Sequence, residues 1–317
     1  MWAKRMRFKL FLVTLLVNIL VFASVDVFVL HDVFKVGYKR DDDFNKALRS
    51  PDPYVGFVGA KNELDHNEFG FRGKSFRDAP EGALKIAFFG GSTGYNGEPT
   101  IAQSLEDNLK RILKKDVFVA NFSVVSSHHR QHLHSIIEHA ASFKPDAIVF
   151  YGGWNELHQA VNYDPRPLLP YNWFVKGETS LAGQLLISYS GIIGELDKYT
   201  GFITSHKQLK EKYKPGSASW NASTIEKYFS TLDLSEAVSN AIGAKFFAFY
   251  QPYQMPEYFS ASYENLLKVG ESKNYFINAH DFYDELSQKI FLDSAHVVQK
   301  ARNHMGLMMA NVLVTKL

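Results

Sequence analysis

The run from Leu84 to Tyr95, Leu-Lys-Ile-Ala-Phe-Phe-Gly-Gly-Ser-Thr-Gly-Tyr, constrains this chain more than any other stretch. It opens with a short, Phe-rich apolar segment and ends in glycines, the pattern of a buried strand entering a tight turn. The stretch from Thr100 to Lys115 behind it reads as a helix. Ser92 therefore stands on a strand-to-helix turn. The flanking glycines let the backbone bend and let a substrate approach closely. Main-chain N–H groups at such a turn can stabilise a developing oxyanion. A Gly-Gly-Ser turn by itself is more often just a turn, so its meaning depends on partners elsewhere in the chain. A phosphate-cradling loop would need Gly-Lys-Ser/Thr at its end. Phe89 stands where a dinucleotide fingerprint requires glycine.

From Leu84 onward strand and helix patterns alternate. Leu84–Gly90, Val117–Phe122, Asp146–Tyr151, Ala244–Tyr250 and Asn274–Ala279 read as strands. Ile101, Leu105, Leu109 and Leu113 lie at helical spacing, His132–Phe143 reads as a second helix, and Val297–Val314 as the last. This order predicts a three-layer α/β/α fold around a central parallel sheet of about five strands, of flavodoxin-like type. Between the third and fourth strands, residues 157–243 form an expected cap-like insertion. It opens on Pro165, Pro167 and Pro170 and continues with amphipathic segments around Leu181–Leu196 and Thr224–Ile242.

The N-terminus points to a membrane. Lys4, Arg5, Arg7 and Lys9 precede an apolar run from Leu10 to Leu30, interrupted by Thr14, Asn18, Ser24 and Asp26. About 20 helical residues cross a hydrocarbon core of roughly 30 Å. The basic flank predicts residues 1–9 as a cytoplasmic tail, 10–30 as a single-pass anchor in the cytoplasmic membrane, and everything beyond outside. A cleaved signal peptide is the alternative, since Val21-Phe22-Ala23 fits a cleavage site. Residues 31–80 read as an extracytoplasmic lead-in, with Asp41-Asp42-Asp43 and Pro51-Asp52-Pro53 as solvated connection. The knot Asn67–Gly73 is expected to pack on the edge of the 81–317 domain, with Arg72 in that knot rather than in binding. Net charge is +2 and no basic stripe suggests nucleic acid. There is no cysteine, which excludes thiolate chemistry and Cys-based metal sites.

In an open parallel sheet, ligands sit beyond the carboxyl ends of the strands. The residues that follow those ends are Gly91-Ser92, Asn121–Ser127 and Gly152-Gly153-Trp154-Asn155-Glu156, with Asp293-Ser-Ala-His296 ahead of the last helix. Together they supply a nucleophile, turn amides, a side-chain amide, an acid and a base. Gly90-Gly91-Ser92-Thr93-Gly94 also fits the G-x-S-x-G elbow of α/β-hydrolases, in which acid and histidine come from separate loops.

In these four blocks, in this order, the chain resembles the SGNH hydrolases, the GDSL-like serine esterases, over residues 84–317. Gly70-Phe-Arg-Gly73 resembles the lead-in of membrane-anchored bacterial members. Asp293 and His296, three residues apart on one loop, favour this resemblance over the α/β-hydrolase elbow. The resemblance implies Ser92 as nucleophile, His296 as base and Asp293 as the acid that orients it. It implies an oxyanion hole from the Ser92 amide, the Ser126 amide and the Asn155 side chain, with Gly91 and Trp154 lining the substrate. The family normally carries glycine where Ser126 stands, and a serine there is strained if the turn needs a positive φ. Other readings of the same residues are a capped final helix for Asp293 and His296, a turn residue for Asn155, and core for Trp154. His280, Asp281 and Asp284 compete as acid and base. The histidines 128, 129, 132, 134 and 139 read as surface residues with one or two near the cleft. Without matching carboxylates or cysteines no metal is expected, and no cofactor is implied.

The location and the resemblance imply an esterase that removes O-acyl, in particular O-acetyl, groups from a cell-surface or exported glycan, alongside polysaccharide-assembly partners. The alternatives are an O-acyltransferase using the same three residues, a lipid esterase, and a non-catalytic glycan-binding or assembly protein.

Overall fold

A computed structural model describes residues 2–34, 36, 43–157, 181–203, 216–254, 257–283 and 289–317. They fall into two compact units, one formed by residues 1–42 with 171–212 and the other by 43–170 with 213–317.

The larger unit begins with the Asp43–Leu48 helix and two short antiparallel strands, β1 (Ser50–Asp52) and β2 (Gly56–Val58). Pro51 and Asp52, expected in a solvated connection, instead form a strand edge, where the Asp52 carboxylate accepts the amides of Tyr54 and Val55 at 2.9 Å. The knot Asn67–Gly73 packs inward through Phe71, whose ring meets Phe122 edge-on at 4.8 Å. Arg72 donates to the carbonyls of Tyr95 and Gly97, at 2.7 and 2.9 Å, and so holds the loop behind Ser92.

The main sheet is parallel throughout. It comprises β3 (Leu84–Gly90), β4 (Val117–Asn121), β5 (Ala147–Gly152), β6 (Lys245–Tyr250) and β7 (Phe276–Asn278), in the order β4-β3-β5-β6-β7. Its strands are apolar on both sides because helices cover both faces. Ile86, Phe88, Val119, Val149, Phe247 and Phe249 face the Ile101–Leu113 and Gln299–Lys316 helices. Those two helices approach so closely that a Cβ on Gly306 would lie 2.6 Å from the Ser104 Cβ. Phe89, Phe150 and Phe246 face the other way, with ring centroids 5.4 and 5.0 Å apart along the row. They meet the helical stretch from His129 to Phe143 and the Ala218–Ala241 helix.

Local signals set the helix starts. Thr100 caps the first crossover helix, accepting the Gln103 amide at 3.2 Å while Gln103 Oε1 accepts the Thr100 amide at 2.6 Å. The next helix, expected from His132, begins at His129, because Gln131 Oε1 accepts the His128 amide at 3.2 Å. Of the section 157–243 expected as a cap, residues 158–180 and 204–215 lie outside the described residues. Its Ala218–Ala241 helix is a layer of the sandwich, contacting β6.

The smaller unit holds the N-terminal helix, Trp2–Ser24, which runs on as a π-helical stretch through Val25–Val33. Among the described residues, Arg5–Val33 is the helix long and apolar enough to cross a membrane. Two short helices, Leu181–Tyr189 and Gly191–Thr200, complete this unit.

Phe150 is fully buried between β3, β6 and the histidine-bearing helix. Phe150→Ala is expected to cost about 3–5 kcal/mol, measured by urea unfolding of the detergent-solubilised chain. A loss well under 1 kcal/mol would contradict this packing.

Candidate active site

The carboxyl edge of the sheet brings the four blocks together. Ser92 opens a short helix, Ser92–Tyr95, directly after β3, with Gly91 as its N-cap. His296 Nε2 lies 2.8 Å from Ser92 Oγ, across 204 residues of sequence. Its Nδ1 lies 2.8 Å from Asp293 Oδ2. The other Asp293 oxygen accepts the amides of Ala295 and His296, at 2.9 and 2.8 Å. Burial raises the Asp293 pKa, but those two amides and the His296 ring outweigh it and hold the carboxyl below its ordinary value. With Nδ1–H donated to Asp293, the Nε2 lone pair faces the hydroxyl. A base so placed takes the serine proton as the oxygen attacks an acyl carbon.

On the same rim as Ser92, Asn155 follows β5 and donates through Nδ2 to the Ser127 carbonyl at 2.6 Å. One N–H of its amide remains for another acceptor. A Cβ on Gly91 would sit 2.2 Å from that nitrogen, so glycine is what admits Asn155 beside the serine. Ser126 adopts φ +70°, in the left-handed region, so it carries the strain expected of a serine in a turn that needs a positive φ. The turn is closed by the Ser127 amide donating to the Val124 carbonyl at 3.0 Å. Trp154 is partly buried beside Tyr253, ring centroids 5.2 Å apart.

His280, the competing base, packs against Tyr250, Tyr253 and Tyr263. Asp281 accepts from Asn278 at 3.2 Å, and Asp284 lies outside the described residues. The imidazole beside Ser92 is that of His296.

The histidine group departs from expectation. His128, His129 and His132 are buried, not on the surface. Among the described residues no group of His, Cys, Asp or Glu has the arrangement of a metal site. His132 Nε2 lies 2.8 Å from Ser127 Oγ, and its Nδ1 lies 3.2 Å from His129 Nδ1. Ser127 Oγ also lies within bonding distance of the Gly90 and Val124 carbonyls, at 3.0 and 2.8 Å. Glu156 accepts the amides of His129 and Gly153, at 2.6 and 2.8 Å. One tautomer assignment satisfies the row: His129 donates to His132, His132 to Ser127, and Ser127 to a carbonyl. It uses neutral imidazoles, in keeping with burial, which lowers all three pKa values and takes His128 to about 4. Polar residues at helical spacing suggested a wet face. The residue that revealed the opposite, Glu156, follows β5 and became visible only once the strands were paired.

Among solved structures, the chain is similar to a GDSL-like lipase from Bacteroides thetaiotaomicron, with 10% identity, 74% of this chain and 89% of that one covered, and a TM-score of 0.42. It is similar to an acetylxylan esterase from Geobacillus stearothermophilus, with 14% identity, 73% and 93% covered, and a TM-score of 0.45. It is also similar to a lipase from a goat rumen metagenome, with 14% identity, 72% and 97% covered, and a TM-score of 0.43. No family model and no curated protein matches the sequence.

The buried histidines have a pH consequence. Their folded pKa values lie below the unfolded value near 6.5, so their contribution is complete above about 6.5 and is lost as pH falls. For His128 the loss runs down toward about 4. Thermal unfolding between those limits should show a steeper fall in Tm for the wild type than for His128→Gln. Parallel curves would contradict the burial of a neutral imidazole.

Proposed function

We propose that this protein is a membrane-anchored, extracytoplasmic serine esterase that removes O-acyl groups, in particular O-acetyl, from a cell-surface or exported glycan. The observation that carries the reading is the line of Ser92 Oγ, His296 and Asp293, each contact at 2.8 Å. Ser92 attacks the ester carbonyl while His296 Nε2 takes its proton. The negative charge on the former carbonyl oxygen is held by the Ser92 amide, the Ser126 amide and the remaining Asn155 N–H. His296 then protonates the departing sugar hydroxyl, leaving an acyl-serine. Water, deprotonated by the same imidazole, releases the acid and restores the serine. Asp293 keeps the ring in the tautomer that accepts at Nε2 and stabilises the imidazolium.

The anchor and the side of the membrane rest on the basic-flanked apolar helix. Asp26 is hydrogen-bonded to Ser190 and to the Ile192 amide within the smaller unit. The glycan substrate follows from location together with the esterase-type site.

In p-nitrophenyl acetate hydrolysis by the full chain in detergent, Ser92→Ala is expected to lose about 10³-fold or more. Wild type no faster than Ser92→Ala would overturn the esterase reading. Asn155→Ala should lose about 10²–10³-fold in kcat. Gly91→Ala, by displacing the same amide, should lose a similar factor, and the double variant no more than either single one. Additive losses would separate Gly91 from Asn155.

A further inference from the structure

The two short helices of the smaller unit are built inside out for a water-soluble surface. In Gly191–Thr200, Ile192, Leu196 and Tyr199 recur at helical spacing and are 41, 51 and 75% exposed. In Leu181–Tyr189, Leu185 and Leu186 are about half exposed, and Phe202 follows at 59%. Around Gly191–Thr200 the residues turned inward are small or polar, Ser190, Gly191, Gly194 and Asp197, while Ile187 is the buried apolar residue of the preceding helix. A helix in contact with water places its apolar stripe inward, whereas a lipid-facing helix turns small and polar residues toward its neighbours.

What those inward residues meet identifies the surroundings of the stripe. Asp26 of the N-terminal helix is 7% exposed, and its carboxylate accepts the Ser190 hydroxyl and, at 2.8 Å, the Ile192 amide. It thereby serves the N-terminus of the Gly191–Thr200 helix, where orphan amides and the helix dipole favour a carboxylate. A Cβ on Gly191 would lie 3.1 Å from the His31 amide nitrogen and 3.1 Å from the Leu30 Cβ, so the backbones are in close contact. At about 1.5 Å per residue, Asp26 stands about 24 Å along the helix from Leu10. That is near the far edge of a hydrocarbon core of roughly 30 Å. For a span that begins at Leu10, the Gly191–Thr200 helix therefore meets the N-terminal helix at the level where headgroups meet acyl chains.

We propose that residues 181–203 are a second membrane-contacting element, clasped to the N-terminal helix by Asp26 and seated in the outer interface of the bilayer. The occupant of its apolar stripes is lipid. Leu185, Leu186, Ile192, Leu196 and Phe202 enter the acyl boundary, and Tyr199 lies at headgroup level, where aromatic side chains with a polar tip are favoured. The clasp also removes the cost of Asp26 at that depth, since a carboxylate in apolar surroundings is tolerated when hydrogen-bonded. This inference rests on the reading of residues 10–30 as an uncleaved anchor.

The chain contains no cysteine, which makes the test direct. Single cysteines replace Leu16, Lys115, Leu186 or Leu196 in the full chain. Each variant carries a nitroxide label and is reconstituted in phosphatidylethanolamine/phosphatidylglycerol vesicles. Collision rates are read with oxygen, which partitions into lipid, and with a water-soluble nickel chelate. The oxygen-to-nickel ratio at Leu186 and Leu196 is expected to exceed that at Lys115 severalfold, as it does at Leu16. In Asp26→Ala, the Leu196 label should gain mobility while the Leu16 label is unchanged. A Leu16 label in lipid with Leu186 and Leu196 labels in water overturns the inference and leaves the anchor standing. Labels shielded from both reagents overturn it too, and spin–spin broadening would then identify a second copy as the cover. Water at Leu16 as well overturns the anchor itself.

Discussion

The imidazole of His296 is the joint on which the candidate site hangs. Lying 204 residues from the serine, it connects a hydroxyl at the end of the first long strand to a carboxylate just ahead of the last helix. No local structure can make that connection. It requires a parallel sheet whose strands all deliver their carboxyl ends to one rim, and a final helix returned to the same rim. The Asp293 loop adds economy: one carboxylate oxygen ties down two loop amides while the other holds the ring. The bonds that fix the loop are therefore the ones that orient the base. A base fixed this way needs little reorganisation at the moment of attack, which is how preorganised polar groups lower a barrier.

Beneath that rim lies a second layer of constraint. Ser127 reaches both the Gly90 carbonyl, at the end of β3, and His132, on the helix after β4. Its own carbonyl holds Asn155, which follows β5. Three strand ends are thus bound through one residue. The buried histidines that support it are retained as neutral hydrogen-bonding groups, because the loss of water by a charged imidazole there outweighs the attraction of the nearby Glu156 carboxylate. The strain at Ser126 is confined to one residue of the turn so fixed, and is of the order of 1–2 kcal/mol for a side chain in the left-handed region. That cost is small beside the burial of Phe89 and Phe150 immediately below.

Much of this was legible before any coordinates. Leu84–Gly90 is a strand by its apolar run and its glycines, and the spacing of the four blocks places Ser92, Asn155, Asp293 and His296 beyond strand ends. Thr100 and Gln103 announce a helix start through a local capping pattern. What could not be read is direction. The period of a helix tells that two faces differ, and leaves open which face turns inward. The histidines 128, 129 and 132 look like a wet face until Glu156 arrives from beyond β5 and the sheet covers them. In residues 191–200 the apolar residues Ile192, Leu196 and Tyr199 are the exposed ones. Pro51 and Asp52 failed for a related reason, since proline is compatible with a strand edge whose amide needs no partner.

Reactivity at the joint is the most direct test of the whole account. A fluorophosphonate probe forms a covalent adduct with a serine only when its hydroxyl is activated by a neighbouring base. Incubated with the folded full chain and mapped by peptide mass spectrometry, the probe is predicted to modify Ser92. The rate should collapse in His296→Ala. A folded chain in which Ser92 stays unlabelled, or is labelled equally fast without the His296 ring, would contradict the account.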